Sequence, residues 1–268
     1  MKKQAFYLSV ISMYYNSKNN LSTKKIDFMS IAIIIPAYKE SDNIEKLIFA
    51  ILKFLKDPII IIVDDSPNKE TQEKIKNFNN IRYIYRGKKL GRGSAVIEGM
   101  KNLINEKEIN KIIEMDADLS HEPSEIQNNL KIFEKDSLDL LISSRYLKDS
   151  KIINWSLERR VFSSLSNKLA KFVLKVPITD YTNGFRIYSK DSIKHIVANC
   201  GKIGGGFIIL SEILVELYFN NFKVKEVHSI FKNRIRGESS VNLRLIIESF
   251  FGLFKVYKKK KEIINKIS

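Results

Sequence analysis

Between residues 30 and 145, short runs of β-branched apolar residues recur at intervals of roughly 25–30 residues, with helical periodicity between them. The runs cover 31–35, 59–63, 81–85, 111–115 and 138–142. Most are apolar without alternation, which suits strands buried on both faces. Asp42 and Asn43 open a stretch in which Ile44, Leu47, Ile48, Ile51, Leu52 and Leu55 fall at helical spacing. Shorter helical patterns cover 68–77, 91–105 and 123–133. Strand and helix in strict alternation predict an α/β fold with a mostly parallel central sheet flanked by helices. Ligands of such sheets lie beyond the carboxyl ends of the strands. Four of those ends are polar here: 36–40, Asp64-Asp65, Asp116 to Asp118, and Ser143-Ser144-Arg145.

Beyond residue 150 the pattern loosens. A basic amphipathic helix is expected over 157–173, a loop over 176–184 and a strand over 185–188. A helix follows Gly204-Gly205-Gly206, a single strand covers 224–231, and a polar loop spans 234–240. The chain therefore divides into an N-terminal extension (1–29), a main domain (30–240) and an amphipathic basic C-terminal segment (241–268). Met29 directly precedes the first strand and is an alternative start of translation. Hydrophobic residues make up 44% of the chain, enough for a large core. The single cysteine, Cys200, excludes an intramolecular disulfide framework and a zinc site of several cysteines.

The net charge of +16 is concentrated at the two ends, with five lysines against one aspartate in 1–29 and six lysines against one glutamate in 253–268. That distribution suits an anionic partner such as a membrane surface or a phosphorylated substrate. No run of about 20 uncharged apolar residues is present to span a bilayer. The apolar stretch after Lys2-Lys3 is broken by serines and lacks a small-residue cleavage pattern, so secretion is not expected. Residues 243–256 followed by Lys258 to Lys261 read as an interfacial helix.

The strand ending in Asp116-Ala117-Asp118 carries the sharpest chemical signal. Two carboxylates one residue apart can both reach a divalent cation, and Mg²⁺ and Mn²⁺ often combine one or two carboxylates with substrate phosphates. Taken alone, an acidic turn is the plainer reading. Gly91-Arg92-Gly93 lacks the third glycine of a dinucleotide loop, and close packing at a helix start explains it better.

Several blocks resemble the inverting family 2 glycosyltransferases. They are Pro36-Ala-Tyr-Lys-Glu40 with Asn43, Val63-Asp-Asp-Ser-Pro67, Gly91 with Ala95 and Gly99, Met115 to Pro123, and Ser144-Arg-Tyr146. Asp180-Tyr-Thr-Asn-Gly-Phe-Arg186, Glu212 and Arg234-Ile-Arg-Gly-Glu-Ser239 extend the likeness to the polyprenyl-phosphate sugar synthases. Ser240 and Leu210 depart from the Lys and Gln common there. The resemblance implies a GT-A, Rossmann-like nucleotide-sugar fold and transfer of mannose from GDP-mannose to dolichyl (polyprenyl) phosphate with inversion. A rival keeps the fold and uses UDP-glucose or a related donor. A reading of another class is a non-catalytic nucleotide-sugar or nucleic-acid-binding protein, although no nucleic-acid motif is present.

By the same resemblance, Pro36, Ala37, Tyr38, Glu40, Asp64, Asp65, Gly91, Asp116, Ala117 and Asp118 line the nucleotide-sugar site. Asp116, Asp118 and Ser120 hold Mg²⁺ or Mn²⁺, with Asp118 the direct contact. Arg145, Arg186 and Arg234 bind the acceptor phosphate, and Asp118, Arg145 and Arg234 are the catalytic set. Asp180 orients Arg186 or meets the sugar. His121 serves the turn rather than acting as a base. The implied location is the cytoplasmic face of a membrane, peripherally bound, with a small membrane subunit as a further partner.

Overall fold

The computed structural model describes the backbone of residues 31–233 and 243–267, with side chains over 31–233 and 251–266. The N-terminal extension, Arg234 and the polar loop around it lie outside the described residues.

The five expected runs form strands β1 (Ile31–Ala37), β2 (Ile59–Asp64), β3 (Ile81–Tyr85), β4 (Lys111–Glu114) and β5 (Leu140–Ser144). The helices between them are α1 (Ser41–Leu52), α2 (Glu70–Ile75), α3 (Arg92–Leu103) and α4 (Ile126–Lys135), the last preceded by a 3₁₀ turn at Pro123–Glu125. There follow β6 (Lys151–Ile153), α5 (Leu157–Leu174), β7 (Arg186–Ser189), α6 (Lys190–Asn199), α7 (Ile208–Phe219), β8 (Val224–His228), β9 (Ile230–Lys232) and α8 (Leu243–Ile267). Among the described residues, seven strands make one sheet in the order β3-β2-β1-β4-β7-β5-β8. Its neighbours are parallel except β7, which runs antiparallel between β4 and β5. The carboxyl ends of β1, β2, β4 and β5 therefore share one edge, and β7 brings its first residue, Arg186, to the same edge opposite Glu114 and Ile142.

The sheet is packed on both faces. Along β1, Ala32 and Ile34 join the layer that includes α3, α6, α7 and α8, while Ile31, Ile33 and Ile35 join the layer of α1 and α4. This two-residue alternation is why the strand reads as an unbroken apolar run. Close approach of α3 to β1 depends on Gly99, where a Cβ would come within 2.6 Å of Ile34 Cγ2.

Three expectations are corrected. The single strand over 224–231 is two strands, interrupted at Ser229: β8 joins the main sheet and β9 pairs with β6 in a separate two-stranded ribbon. The short β6 and the helix α6 were not expected. The C-terminal helix continues to Ile267, and its side chains are not all available to a membrane. Val256 is fully buried and Ile263 nearly so against the rest of the core. Lys259 pairs with two buried carboxylates of α7, Glu212 at 3.0 Å and Glu216 at 2.8 Å.

Candidate active site

At the shared edge, the loops after β1 and β2 are tied together. Lys39 turns the chain with φ 59°, and its N–H donates to Ser66 Oγ at 2.8 Å. Glu40 precedes α1 and accepts from Asn43 Nδ2 at 2.7 Å. Pro36 and Ala37 close β1, where the missing N–H of proline is tolerated because the strand is ending. A cleft beyond these loops is lined by Lys39, Ser66, Pro67, Asn68 and Thr71.

The two aspartates after Val63 are both engaged. Asp64 is fully buried and accepts from Ser66 N at 2.8 Å and the Tyr83 hydroxyl at 2.9 Å. Each of its oxygens thus accepts one hydrogen bond from the protein. Burial, reinforced by the Asp64 carboxylate, pushes the Tyr83 phenol well above its usual range. Asp65 meets Arg86 Nε at 2.5 Å and accepts the N–H groups of Leu90 and Gly91 at 2.8 and 2.9 Å. It thereby fixes the entrance to α3. Gly91 there has φ 101°, and a Cβ on it would meet Gly205 O at 2.5 Å, so only glycine fits.

β4 delivers the Asp116 to Asp118 turn. Asp118 is nearly buried and accepts from Ser120 N at 3.1 Å. Leu119 between them sits in the left-handed region at φ 61°, a strained state that concentrates at functional turns. Ser120 Oγ is buried with no hydrogen-bond partner among the described residues. An unpaired hydroxyl beside a carboxylate is oxygen chemistry that a hard divalent cation favours. Among the described residues no three acidic, His or Cys groups form a complete metal cage. A cation here would be completed by phosphate oxygens.

Asp116 is engaged by an arginine. Its Oδ1 lies 2.6 Å from Arg92 Nε, and Arg92 Nη1 lies 2.5 Å from Glu114. His121 accepts the Asp116 N–H on Nδ1 at 3.2 Å and faces Asn183 Oδ1 through Nε2 at 3.1 Å. Its ring is held between Phe185 and Phe231, with centroids at 5.4 and 5.3 Å. Burial lowers the His121 pKa despite the nearby carboxylates, so the ring is neutral and braces the turn.

The arginines divide. Arg145 is nearly buried and forks onto Asp180, with Nε at 2.8 Å from Oδ2 and Nη2 at 2.8 Å from Oδ1. Nη2 also donates to Thr182 Oγ1 at 2.7 Å, while Nη1 has no bond among the described residues. Burial raises the Asp180 pKa but the Arg145 guanidinium outweighs it, and the net displacement is downward. Asp180 thus orients Arg145, not Arg186. Arg186 is itself a correction. It is fully buried, and its three nitrogens donate to the carbonyls of Asn183, Leu210 and Tyr181 at 2.9, 2.9 and 3.1 Å. It closes the loop before β7 and presents nothing to a phosphate. Sequence reasoning missed Arg159 and Trp155. Both Arg145 and Arg159 lie over the Trp155 ring, at 5.6 and 4.0 Å from its centroid, and Arg159 donates to Asn233 at 2.9 Å. The lone tryptophan beside the Arg159-Arg160 pair was the available signal.

The model of "Glycosyl transferase family 2" matches residues 32–197, more than half of the chain. The chain belongs to this family. A dolichol-phosphate mannosyltransferase of Pyrococcus furiosus is 33% identical over 243 residues, covering 88% of this chain and 66% of its own length, so the chain spans just under two thirds of that relative. A polyprenol monophosphomannose synthase of Mycolicibacterium smegmatis is 28% identical, covering 82% of this chain and 83% of its own. Among solved structures, glucosyl-3-phosphoglycerate synthase from Mycobacterium tuberculosis, in complex with Mn²⁺, UDP-glucose and phosphoglyceric acid, superposes with a TM-score of 0.63. It shares 13% identity over 90% of this chain and 86% of that one, a likeness of fold. The expected GT-A-like α/β architecture is therefore the one observed.

Proposed function

We propose that this glycosyltransferase moves mannose from GDP-mannose to a polyprenyl phosphate of the dolichyl type, with inversion, at the edge where β4 and β5 end. One observation carries the reading: an acidic turn with an unpaired buried hydroxyl, Asp116 to Ser120, lies at the same sheet edge as an arginine fork held by Asp180. The names of the curated relatives support the same sugar and acceptor class.

The chemistry asks for little more. The acceptor phosphate has a second pKa of about 6, so its attacking oxygen is already anionic at neutral pH. No general base is required, and His121 is braced rather than poised. A divalent cation held by Asp118 and Ser120, with Asp116 close by, would supply charge to the departing diphosphate. The chain itself must bring two anions together. Arg145 offers its remaining Nη1, with Arg159 across Trp155 as a second cation. Arginine suits this because its charge survives burial.

A lipid-phosphate acceptor requires a membrane surface. α5 exposes Leu157, Val161, Leu165, Leu169 and Phe172 in a stripe three or four residues apart, with Lys168, Lys171 and Lys175 nearby. α8 adds exposed Phe251 and Phe254. An apolar stripe flanked by lysines fits an anionic interface in which a helix lies flat. Among the described residues no helix is long and apolar enough to cross a membrane. We place the protein on the cytoplasmic face of such a membrane, where a small membrane subunit could assist it.

The test is a panel of radiolabelled GDP-mannose, UDP-glucose and related donors with polyprenyl phosphates, in Mg²⁺, Mn²⁺ or chelator. GDP-mannose with metal is expected to give labelled lipid. Transfer from UDP-glucose alone would move the reading to another donor, and undiminished transfer in chelator would remove the cation.

A further inference from the structure

β4 ends in a buried charge that stands opposite Arg186 of β7. Glu114 is fully buried, as are Ile112, Ile113 and Met115 around it. Its carboxylate meets Arg92 at 2.5 Å and accepts from the Tyr188 hydroxyl on β7 at 2.6 Å. A buried ion pair is weak evidence for a stabilising role, since well-packed apolar residues of similar volume often do as well. The pair therefore points to another job, and its position shows which.

Arg92 is the first residue of α3, directly after Gly91. Its guanidinium reaches both Glu114 and Asp116, and its Nη2 lies 3.4 Å from Gly184 O. Any side chain at Gly184 would collide with that guanidinium, so the loop before β7 is hollowed to admit it. The Phe207 ring covers it at 5.7 Å. Arg92 is thus seated in a fitted place against one of the two aspartates of the turn.

Charge counting gives the seat its meaning. Arg92 with Asp116 alone would sum to zero and leave Asp118 as one negative charge. Counted over Arg92, Glu114, Asp116 and Asp118 alone, Glu114 brings the trio to −1 and the four side chains to −2; Arg186, opposite Glu114, is held separately by three backbone carbonyls. The neutral His121 adds nothing. Burial works against the charge on Arg92, but Asp116 and Glu114 outweigh it and hold the guanidinium protonated.

We propose that Arg92 and Glu114 are positioning residues for the donor site: Arg92 fixes the Asp116 carboxylate, and Glu114 cancels the charge of Arg92 so that the turn still attracts a divalent cation. This rests on the donor-site reading above, in which Asp118 and Asp116 face a cation and a diphosphate.

The experiment measures Mn²⁺ binding in the presence of GDP, from the electron paramagnetic resonance signal of free Mn²⁺, alongside thermal melts and steady-state kinetics. Glu114→Gln keeps size and shape and removes the counter-charge. It is expected to weaken Mn²⁺ binding about tenfold, or ~1.4 kcal/mol, and to raise KM for the nucleotide sugar. The double variant Arg92→Leu with Glu114→Leu restores the count of −2 from Asp116 and Asp118. It is expected to recover Mn²⁺ affinity to within about threefold while kcat stays low, because Asp116 is no longer held. Removing one partner of a buried pair also costs more stability than replacing both, so the Mn²⁺ affinities are compared at a temperature where the melts show both variants fully folded. Parent-like Mn²⁺ affinity in Glu114→Gln would overturn the proposal, as would a folded double variant no better than the single. A parent protein that binds no Mn²⁺ with GDP would overturn the donor-site reading as well.

Discussion

Arg145 and Asp180 are a residue-scale problem of compensation. Both are nearly or fully buried, and each satisfies the other. Asp180→Asn keeps the shape but leaves the guanidinium with no counter-charge. A loss of about 3–5 kcal/mol is expected in denaturant unfolding. Arg145→Lys keeps the charge and loses the fork, so it should unfold closer to the parent yet show a raised KM for the lipid phosphate. His121 predicts a pH effect with a definite sign. Burial depresses its pKa in the folded protein, so the unfolded chain takes up its proton first. Its contribution to stability is complete above the unfolded value of about 6.5 and is lost as pH falls below it. The denaturation midpoint should drop on acidification from that point, and His121→Gln should flatten the drop. Turnover should instead decline near the acceptor's second pKa of about 6 in both proteins, because the ring transfers no proton.

At the scale of elements, legibility followed burial. β1, β2 and β4 were readable because strands packed on both faces appear as unbroken apolar runs. β6 was not, because Lys151 to Ile153 is only three residues, two of them exposed, with no such run. The split between β8 and β9 was hidden because Ser229 continues an alternating pattern, and the chain is redirected by long-range bonds: Ser229 Oγ and Ile230 N–H donate to Glu125, each at 2.6 Å, and Ser229 N–H to Ser150. Arg186 was misread for a related reason. A motif arginine looks the same whether it faces a phosphate or three backbone carbonyls, and the distinction arises only when the loop closes over it. The C-terminal helix was read as amphipathic, but its core-facing side, through Val256, Ile263 and Lys259, is committed to α7 and the layer behind it. The better exposed apolar surface is on α5. Replacing Leu165, Leu169 and Phe172 together by glutamate should leave the melting temperature nearly unchanged, since these side chains are 58%, 44% and 70% exposed. The same variant should no longer float with anionic vesicles, while a water-soluble short-chain acceptor should still be used. Vesicle binding equal to the parent would assign the membrane contact elsewhere.

For the molecule as a whole, the antiparallel β7 is the decisive departure from a purely parallel sheet. It inserts between β4 and β5 and separates the acidic turn from the arginine fork by one strand. The loop leading into it, Asp180 to Phe185, touches both: Asp180 holds Arg145, and Asn183 faces His121 behind the acidic turn. One loop therefore joins the acidic turn to the arginine fork, and on the proposed reading occupancy of the donor side should register in global stability. A ligand present at 100 times its Kd adds about 2.7 kcal/mol to folding, which in a chain of this size corresponds to a rise of about 5–10 °C in melting temperature. GDP with Mn²⁺ should produce that rise, and GDP with chelator should produce much less. In Asp118→Asn the difference between the two should vanish. Equal shifts with and without metal in the parent protein would mean that the nucleotide is held by the β1 and β2 loops alone, and the acidic turn would then need another role.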